Sequence, residues 1–224
     1  MPVRHLVVGA GEVGTAVHEV LDMWSPTAVL RDVDPIDLRA DTLHICFPWS
    51  ARFAEQVHGY TAEHGADLVI VHSTVPVGTC DPHGWVHSPV RGRHPNIADA
   101  LGLFTKHFGG ERADEAAKLW SNVSPTAAHA LARDTEAGKL WELIQFGINI
   151  QVEKAIHAWC IEHGVDPDVA YTQFAQTYND GYAALRLPEF VRPVLKHMPG
   201  PIGGHCVAQN AWMVDHPIAR LVDG

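Results

Sequence analysis

Gly9-Ala10-Gly11-Glu12-Val13-Gly14 sets three glycines at the spacing that a dinucleotide pyrophosphate requires. The motif follows the apolar run Val3 to Val8 and opens the amphipathic segment Glu12 to Met23, so strand, glycine turn and helix come in the right order. In that setting Gly9 permits a tight turn and Gly11 lets phosphate approach bare backbone. Gly14 lets the helix pack close to the sheet, and the helix N-terminus adds partial positive charge. Asp32 ends the next strand, where an acid can bind a ribose hydroxyl; it favours NAD, and NADP is the less favoured cofactor because its 2′-phosphate would be repelled. Arg31, beside it, argues the other way. Glu12 and Val13 inside the motif, with Pro48, Ser73 and Thr74 at the ends of later strands, complete the expected cofactor-binding set. No metal is expected. Cys46, Cys80, Cys160 and Cys206 show no CxxC spacing, and the sixteen histidines form no ligand pair beside carboxylates; His83, His87 and His94 read as solvated loop residues.

The elements that must position these residues alternate short apolar runs with amphipathic stretches, the pattern of a parallel sheet with crossover helices. Strands are expected at Val3–Val8, Thr27–Leu30, Leu43–Phe47, Asp67–His72 and Trp85–His87, and near Phe104–Phe108. Helices are expected at Glu12–Met23, Ala51–His64 and Ala113–Asn122. From Asp134 to His163 proline disappears and apolar residues recur at helical spacing, which predicts one long helix ended by Gly164. A second helix is expected from Pro167 to about Leu185. The fold class is therefore α/β: a Rossmann-type doubly wound parallel sheet over residues 1–124, then a smaller all-helical domain over 125–224. So long a helix needs a partner along its length, and a homodimer through residues 134–163 is expected.

Composition excludes several classes of partner. The formal net charge is -10 with no Lys/Arg-rich run, which argues against nucleic acid and anionic membranes. No apolar stretch is long enough to span a bilayer, and the first residues lead straight into a strand without a signal-peptide layout. The expected location is the cytoplasm.

Three further segments carry a resemblance. Ser73-Thr74-Val75-Pro76-Val77-Gly78-Thr79, Glu136-Ala137-Gly138-Lys139 and Gly200-Pro201-Ile202-Gly203-Gly204-His205-Cys206 resemble, in this order, segments of the UDP-glucose/GDP-mannose dehydrogenase family. In that family NAD oxidises a sugar alcohol to an acid in two hydride transfers, with a cysteine holding the aldehyde and then a thioester. The resemblance implies Cys206 as nucleophile, Lys139 as the cation facing oxyanion charge, Thr74 near the nicotinamide and the hydrolytic water, and Glu136 as their neighbour in the catalytic set.

The sequence departs from the family at telling positions. Leu143 replaces an asparagine one turn after the lysine, Asn210 replaces an aspartate four residues past the cysteine, and Val90 replaces a glutamate after Ser88-Pro89. The segment between Asp32 and Leu43 is short, and the sequence stops at Gly224, before the family's nucleotide-sugar-binding domain. One hydride transfer is therefore expected rather than two. Arg91 and Arg93, with His94, follow Ser88-Pro89-Val90 and offer bidentate contacts to a carboxylate or phosphate, so a small anionic alcohol or aldehyde is the expected substrate, with Asn210 counted in its site. Two other readings stay open: a lyase or transferase on the same scaffold, and a degenerate NAD-binding protein without catalysis.

Overall fold

The structure is a computed structural model and describes residues 3–25, 27–93, 95–202 and 207–222. The chain divides into two compact units, residues 1–139 and 140–224.

The first unit is built on seven strands: β1 (His5–Val8), β2 (Ala28–Arg31), β3 (Thr42–Ile45), β4 (Leu68–Val71), β5 (Val86–His87), β6 (Lys106–Gly109) and β7 (Thr126–His129). Their order across the sheet is β2-β1-β3-β4-β5-β6-β7. Neighbours are parallel except β5 and β6, which pair antiparallel at His87 and Gly109. Strand order reverses between β1 and β3, which opens the crevice at their carboxyl ends where such sheets take ligands.

Helices α1 (Glu12–Trp24), α3 (Ile97–Leu103) and α4 (Ala113–Trp120) cover one face. There Val7, Ile70, Val86 and Phe108 pack with Val17, Leu101 and Trp120. Helix α2 (Phe53–His64) covers the other, where Leu6, Leu43, Ile45 and Val69 meet Phe53 and Val57. Alternate residues of β1 and β4 thus feed two cores, as a doubly wound sheet demands. Ten residues join β2 to β3 with neither helix nor strand, so β2 forms one edge of the sheet.

Two differences from the sequence reading concern the sheet of this unit. The sheet continues past residue 124, because Thr126–His129 pairs with β6. Strand β6 also runs against its neighbour: its last residue, Gly109, pairs with His87 at the end of β5, and its first, Lys106, lies beyond that end, beside the segment that follows β5.

The second unit has helices and no strand among its described residues, and residues 191–202 run without regular structure. It comprises most of α5 (Ala132–Glu162), which begins in the first unit, then a π-helical stretch Asp168–Gln173 continuing into α6 (Phe174–Ala184), and the short α7 (Ala208–Ala211). Ile144, Val207, Ala211, Ala219 and Val222 form its core, with Leu143 packed against them. Gly147 is required there, since a Cβ would come within 2.7 Å of Val207 and 2.8 Å of Val222. By contrast α6 buries no residue, and Phe174 is 70 % exposed. Among the described residues no helix is long and apolar enough to cross a membrane.

Candidate functional site

The glycine motif folds as its chemistry requires. Gly9 adopts φ +101°, and its N–H donates to the Arg31 carbonyl at 2.8 Å. A Cβ on Gly14 would fall 1.7 Å from the Gly9 carbonyl oxygen, so α1 reaches the turn only with glycine at that position. Gly11 is different: a Cβ there would meet nothing within 4 Å, and the residue is exposed at the start of α1. The N-terminus of α1 carries no side-chain cap. Glu12 is exposed in that first turn, while Val13 is half-buried against the core.

Asp32 is exposed beside this turn, and its Oδ1 accepts a hydrogen bond from the Ala10 N–H at 3.3 Å. Arg31 turns inward. Its guanidinium donates to the Asp34 carbonyl at 3.0 Å, pairs with Glu63 at 2.9 Å and stacks over Tyr60 at 4.9 Å. The cation next to Asp32 is therefore committed inside the protein, and the acid alone faces outward.

Pro48 is exposed just past β3. Ser73 is buried, and its hydroxyl donates to the Phe47 carbonyl at 2.6 Å, so it ties the end of β4 to the end of β3. Thr74 follows it, half-buried.

The next segment is bolted to the first turns of α5. Asp81 accepts from the Ala132 N–H at 2.8 Å and pairs with Arg133 at 2.9 Å, which caps the helix. Glu136, fully buried, accepts from the Gly78 N–H at 2.5 Å and the Cys80 N–H at 2.8 Å. Burial raises the Glu136 pKa, and the two backbone donors oppose that rise. Both carboxylate oxygens thus hold the turn that follows Thr74, and Glu136 anchors that turn to α5.

One turn on, half-buried Lys139 donates from Nζ to the Val90 carbonyl at 2.9 Å. Lys139 and the Ser88–Arg93 segment therefore meet. Arg91 is half-buried with its guanidinium 5.9 Å from the Phe104 ring, and Arg93 is exposed after Gly92, which adopts φ +127°. The Ser88 hydroxyl is buried with no hydrogen-bond partner among the described residues, so a ligand atom or water would satisfy it.

Sequence reasoning missed a row of buried polar groups under this segment. His87 is not a solvated loop residue. It lies on β5 with no exposed surface, bonded to Thr135 Oγ1 at 2.9 Å and to the Ser73 carbonyl at 3.2 Å. Desolvation lowers its pKa to about 3. It ties the β4 turn to the first turn of α5.

His5, His44 and His72, on or next to β1, β3 and β4, join ring to ring at 3.1 and 3.0 Å, and His72 Nδ1 reaches the Ser88 carbonyl at 2.8 Å. Lys106, 3 % exposed, stands beside His72. The signal was present in Thr42-Leu43-His44-Ile45, where a histidine interrupts an apolar strand at an inward position.

Two expected site residues, His94 and Cys206, lie outside the described residues, as do Gly203, Gly204 and His205. Asn210 sits half-buried on α7 in the second unit. Leu143, in place of the resembled family's asparagine, packs into that unit's core.

No family model matches the chain, and no curated protein matches it in sequence. Its fold is nevertheless that of known dehydrogenases. It superposes on UDP-D-ManNAc dehydrogenase of Pyrococcus horikoshii with a TM-score of 0.79 at 19% identity, over 98% of this chain and 67% of that one. For the UDP-N-acetyl-mannosamine dehydrogenase of Staphylococcus aureus the values are 0.72, 16%, 98% and 66%. The chain thus spans about two thirds of the length of these nucleotide-sugar dehydrogenases. The 3-hydroxyisobutyrate dehydrogenase of Mycobacterium tuberculosis matches with a TM-score of 0.67 at 15% identity, over 100% of this chain and 92% of that one.

Proposed function

We propose that this chain is an NAD-dependent oxidoreductase that moves one hydride between the nicotinamide and a small alcohol or carbonyl compound bearing a carboxylate or phosphate. The observation that carries the reading is the turn at Gly9–Gly14. It has an uncapped helix start, open space over Gly11 and an exposed Asp32 bonded to the turn itself. These residues fit a dinucleotide. Gly11 and the first turn of α1 would take the pyrophosphate, and Asp32 the ribose hydroxyls. When bound, the nicotinamide supplies hydride chemistry.

This chain's residues do the rest. Lys139 faces negative charge on the substrate oxygen as it passes between alcohol and carbonyl, and the Thr74 backbone lies where β4 ends at the crevice. Arg91 and Arg93 take the anionic group of the substrate. Similarity to a dehydrogenase of almost the same length, named for a small hydroxy acid, supports a small substrate. Cys206 enters as nucleophile only for a substrate taken past the aldehyde. Its alkylation would then be fast and sensitive to NAD, with a thiol pKa below the usual value of roughly 8.5.

NADH binding followed by fluorescence, against NADPH, tests the cofactor. Wild type should prefer NADH. Asp32→Ala should raise the NADH dissociation constant about tenfold and narrow the gap to NADPH, the effect of losing about 1.4 kcal/mol of hydrogen bonding. An unchanged preference would refute the role of Asp32. A panel of 2- and 3-hydroxy acids and phosphates, read at 340 nm, then tests the substrate class. Arg91→Met should raise KM about tenfold or more with a smaller change in kcat, as loss of ground-state anion binding does.

We also infer a homodimer through the second unit. Trp159, Ile161 and Phe174 are more than half exposed, and α6 has no buried residue of its own. Large apolar side chains exposed in this number on two helices fit a surface that a second copy covers. Light scattering should give twice the 24.5 kDa chain mass, and Phe174→Glu should shift it toward one.

A further inference from the structure

The segment that carries Arg91 follows the last residue of β5, His87. Ser88 N–H donates to the Val71 carbonyl at 2.8 Å; beyond it the segment leaves the sheet. Its next carbonyls meet two lysines. Lys106 Nζ lies 3.1 Å from the Ser88 carbonyl and 3.4 Å from that of Pro89, and Lys139 Nζ lies 2.9 Å from that of Val90. Three consecutive carbonyls are thus held from two sides, immediately before Arg91.

The imidazole row decides what form of Lys106 fits. The Ser88 carbonyl can only accept, so His72 carries its proton on Nδ1 and accepts at Nε2. His44 must then donate from Nδ1 to His72 and accept at Nε2, and His5 must donate from Nδ1 to His44. Every ring is neutral and satisfied in this one arrangement.

His72 Nδ1, protonated toward the Ser88 carbonyl, then has no lone pair to offer Lys106 Nζ, which lies 3.3 Å away. A neutral amine matches that setting: two N–H groups face the two carbonyls, and none is turned toward the protonated Nδ1. An ammonium would turn a third N–H against the imidazole's own.

We propose that Lys106 is a positioning residue for the Arg91 segment, holding Ser88 and Pro89 as a neutral amine, and that its protonation rearranges residues 88–93. The proposal rests on the reading of that segment as the substrate's anion site. The other groups facing Lys106 are the Cys46 thiol after β3, His87 on β5 and Lys139 on α5; α4 contributes the Trp120 ring at 4.9 Å. His5 at the far end of the row feels Asp41, which is paired with Arg4. Burial lowers the Lys106 pKa to about 7, so the exchange between the two forms falls near neutrality.

The test needs neither cofactor nor substrate, so its failure would leave the dehydrogenase reading standing. In isotope-labelled full-length protein carrying His94→Gln, which removes the neighbouring loop imidazole, the Lys106 Cε signal is titrated from pH 5.5 to 9 beside the Gly92 and Arg93 amide signals. One shared midpoint is expected. Amides that stay flat while Lys106 titrates, or a Lys106 signal that stays charged throughout, would overturn the proposal. In parallel, tryptic cleavage after Arg91 and Arg93 is read by mass spectrometry. Lys106→Met should be cut about tenfold faster than wild type, since cleavage follows the opened fraction. Equal rates in a folded Lys106→Met protein would also overturn it.

Discussion

Lowering the pH from 7 to 5 is expected to reduce the melting temperature of this protein by about 4 to 8 °C through His87 alone. In the unfolded chain His87 titrates near the ordinary histidine value of roughly 6.5. In the native protein burial holds it neutral to about pH 3. Above the unfolded value both states are neutral and His87 contributes nothing to the pH dependence. Below it the unfolded chain takes up a proton that the folded one refuses, so stability falls with pH and levels off only near the native value. Between pH 7 and 5 that difference amounts to about 2 kcal/mol.

His44 and His72, held well below their usual range by burial, act in the same direction. Lys106 does not add much in this window, because its loss of stability accumulates between about pH 10 and 7. Calorimetry at the two pH values checks the prediction, and melting temperatures within 2 °C of each other would contradict it. His87→Gln, which has no proton to take up, should lose less across the same interval than the wild type.

A pair of glycine substitutions separates folding from binding in the nucleotide loop. Gly14→Ala places a methyl group 1.7 Å from the Gly9 carbonyl oxygen; the Cβ position is fixed by the main chain and the oxygen belongs to it, so no side-chain rotation relieves the clash. Helix α1 or the turn must shift. The expected cost is about 2 to 4 kcal/mol of stability, with NADH binding weakened at least about 100-fold. Gly11→Ala meets nothing within 4 Å, so it should melt within about 2 °C of wild type. Its added methyl group occupies the space proposed for the pyrophosphate, however, and NADH binding should still fall about tenfold or more. If Gly11→Ala binds NADH as wild type does, the cofactor does not lie where this reading puts it.

The parts of the fold that could be read from residues alone are those in which one physical cause dominates. The β1–turn–α1 unit was legible because glycine spacing and the change from strand to helix period coincide at Gly9–Gly14. The long helix was legible through its freedom from proline, and it runs over Ala132–Glu162. Strand β7, Thr-Ala-Ala-His, carries almost no β-branched or alternating signal, and it joins the sheet only because β6 offers an edge. Helix α3 hides behind the glycine and proline residues of 89–95 for the same reason: its tertiary packing, through Ile97 and Leu101, decides it.

In the site, Asp32 and the glycines stand where their types suggested. The resemblance of Glu136-Ala137-Gly138-Lys139 pointed to Glu136, but the Gly78 and Cys80 N–H groups that it binds come from a distant loop and were not legible. Lys106 was invisible as a site residue, since strand direction alone brings it to Ser88.

The short link between β2 and β3 has a consequence for handling the protein. With no further strand outside it among the described residues, β2 shows a row of unpaired main-chain groups along the border of the sheet. Such a border invites self-templated aggregation, and natural proteins guard it with charge. Here the guards are carboxylates, Asp32, Asp34 and Asp37, all exposed in the link that follows the strand. Their repulsion between molecules works while they are ionised and is screened by salt. Storage at neutral pH and low ionic strength would therefore keep the protein dispersed, while acid would remove the guard as it weakens the histidine-rich core behind it.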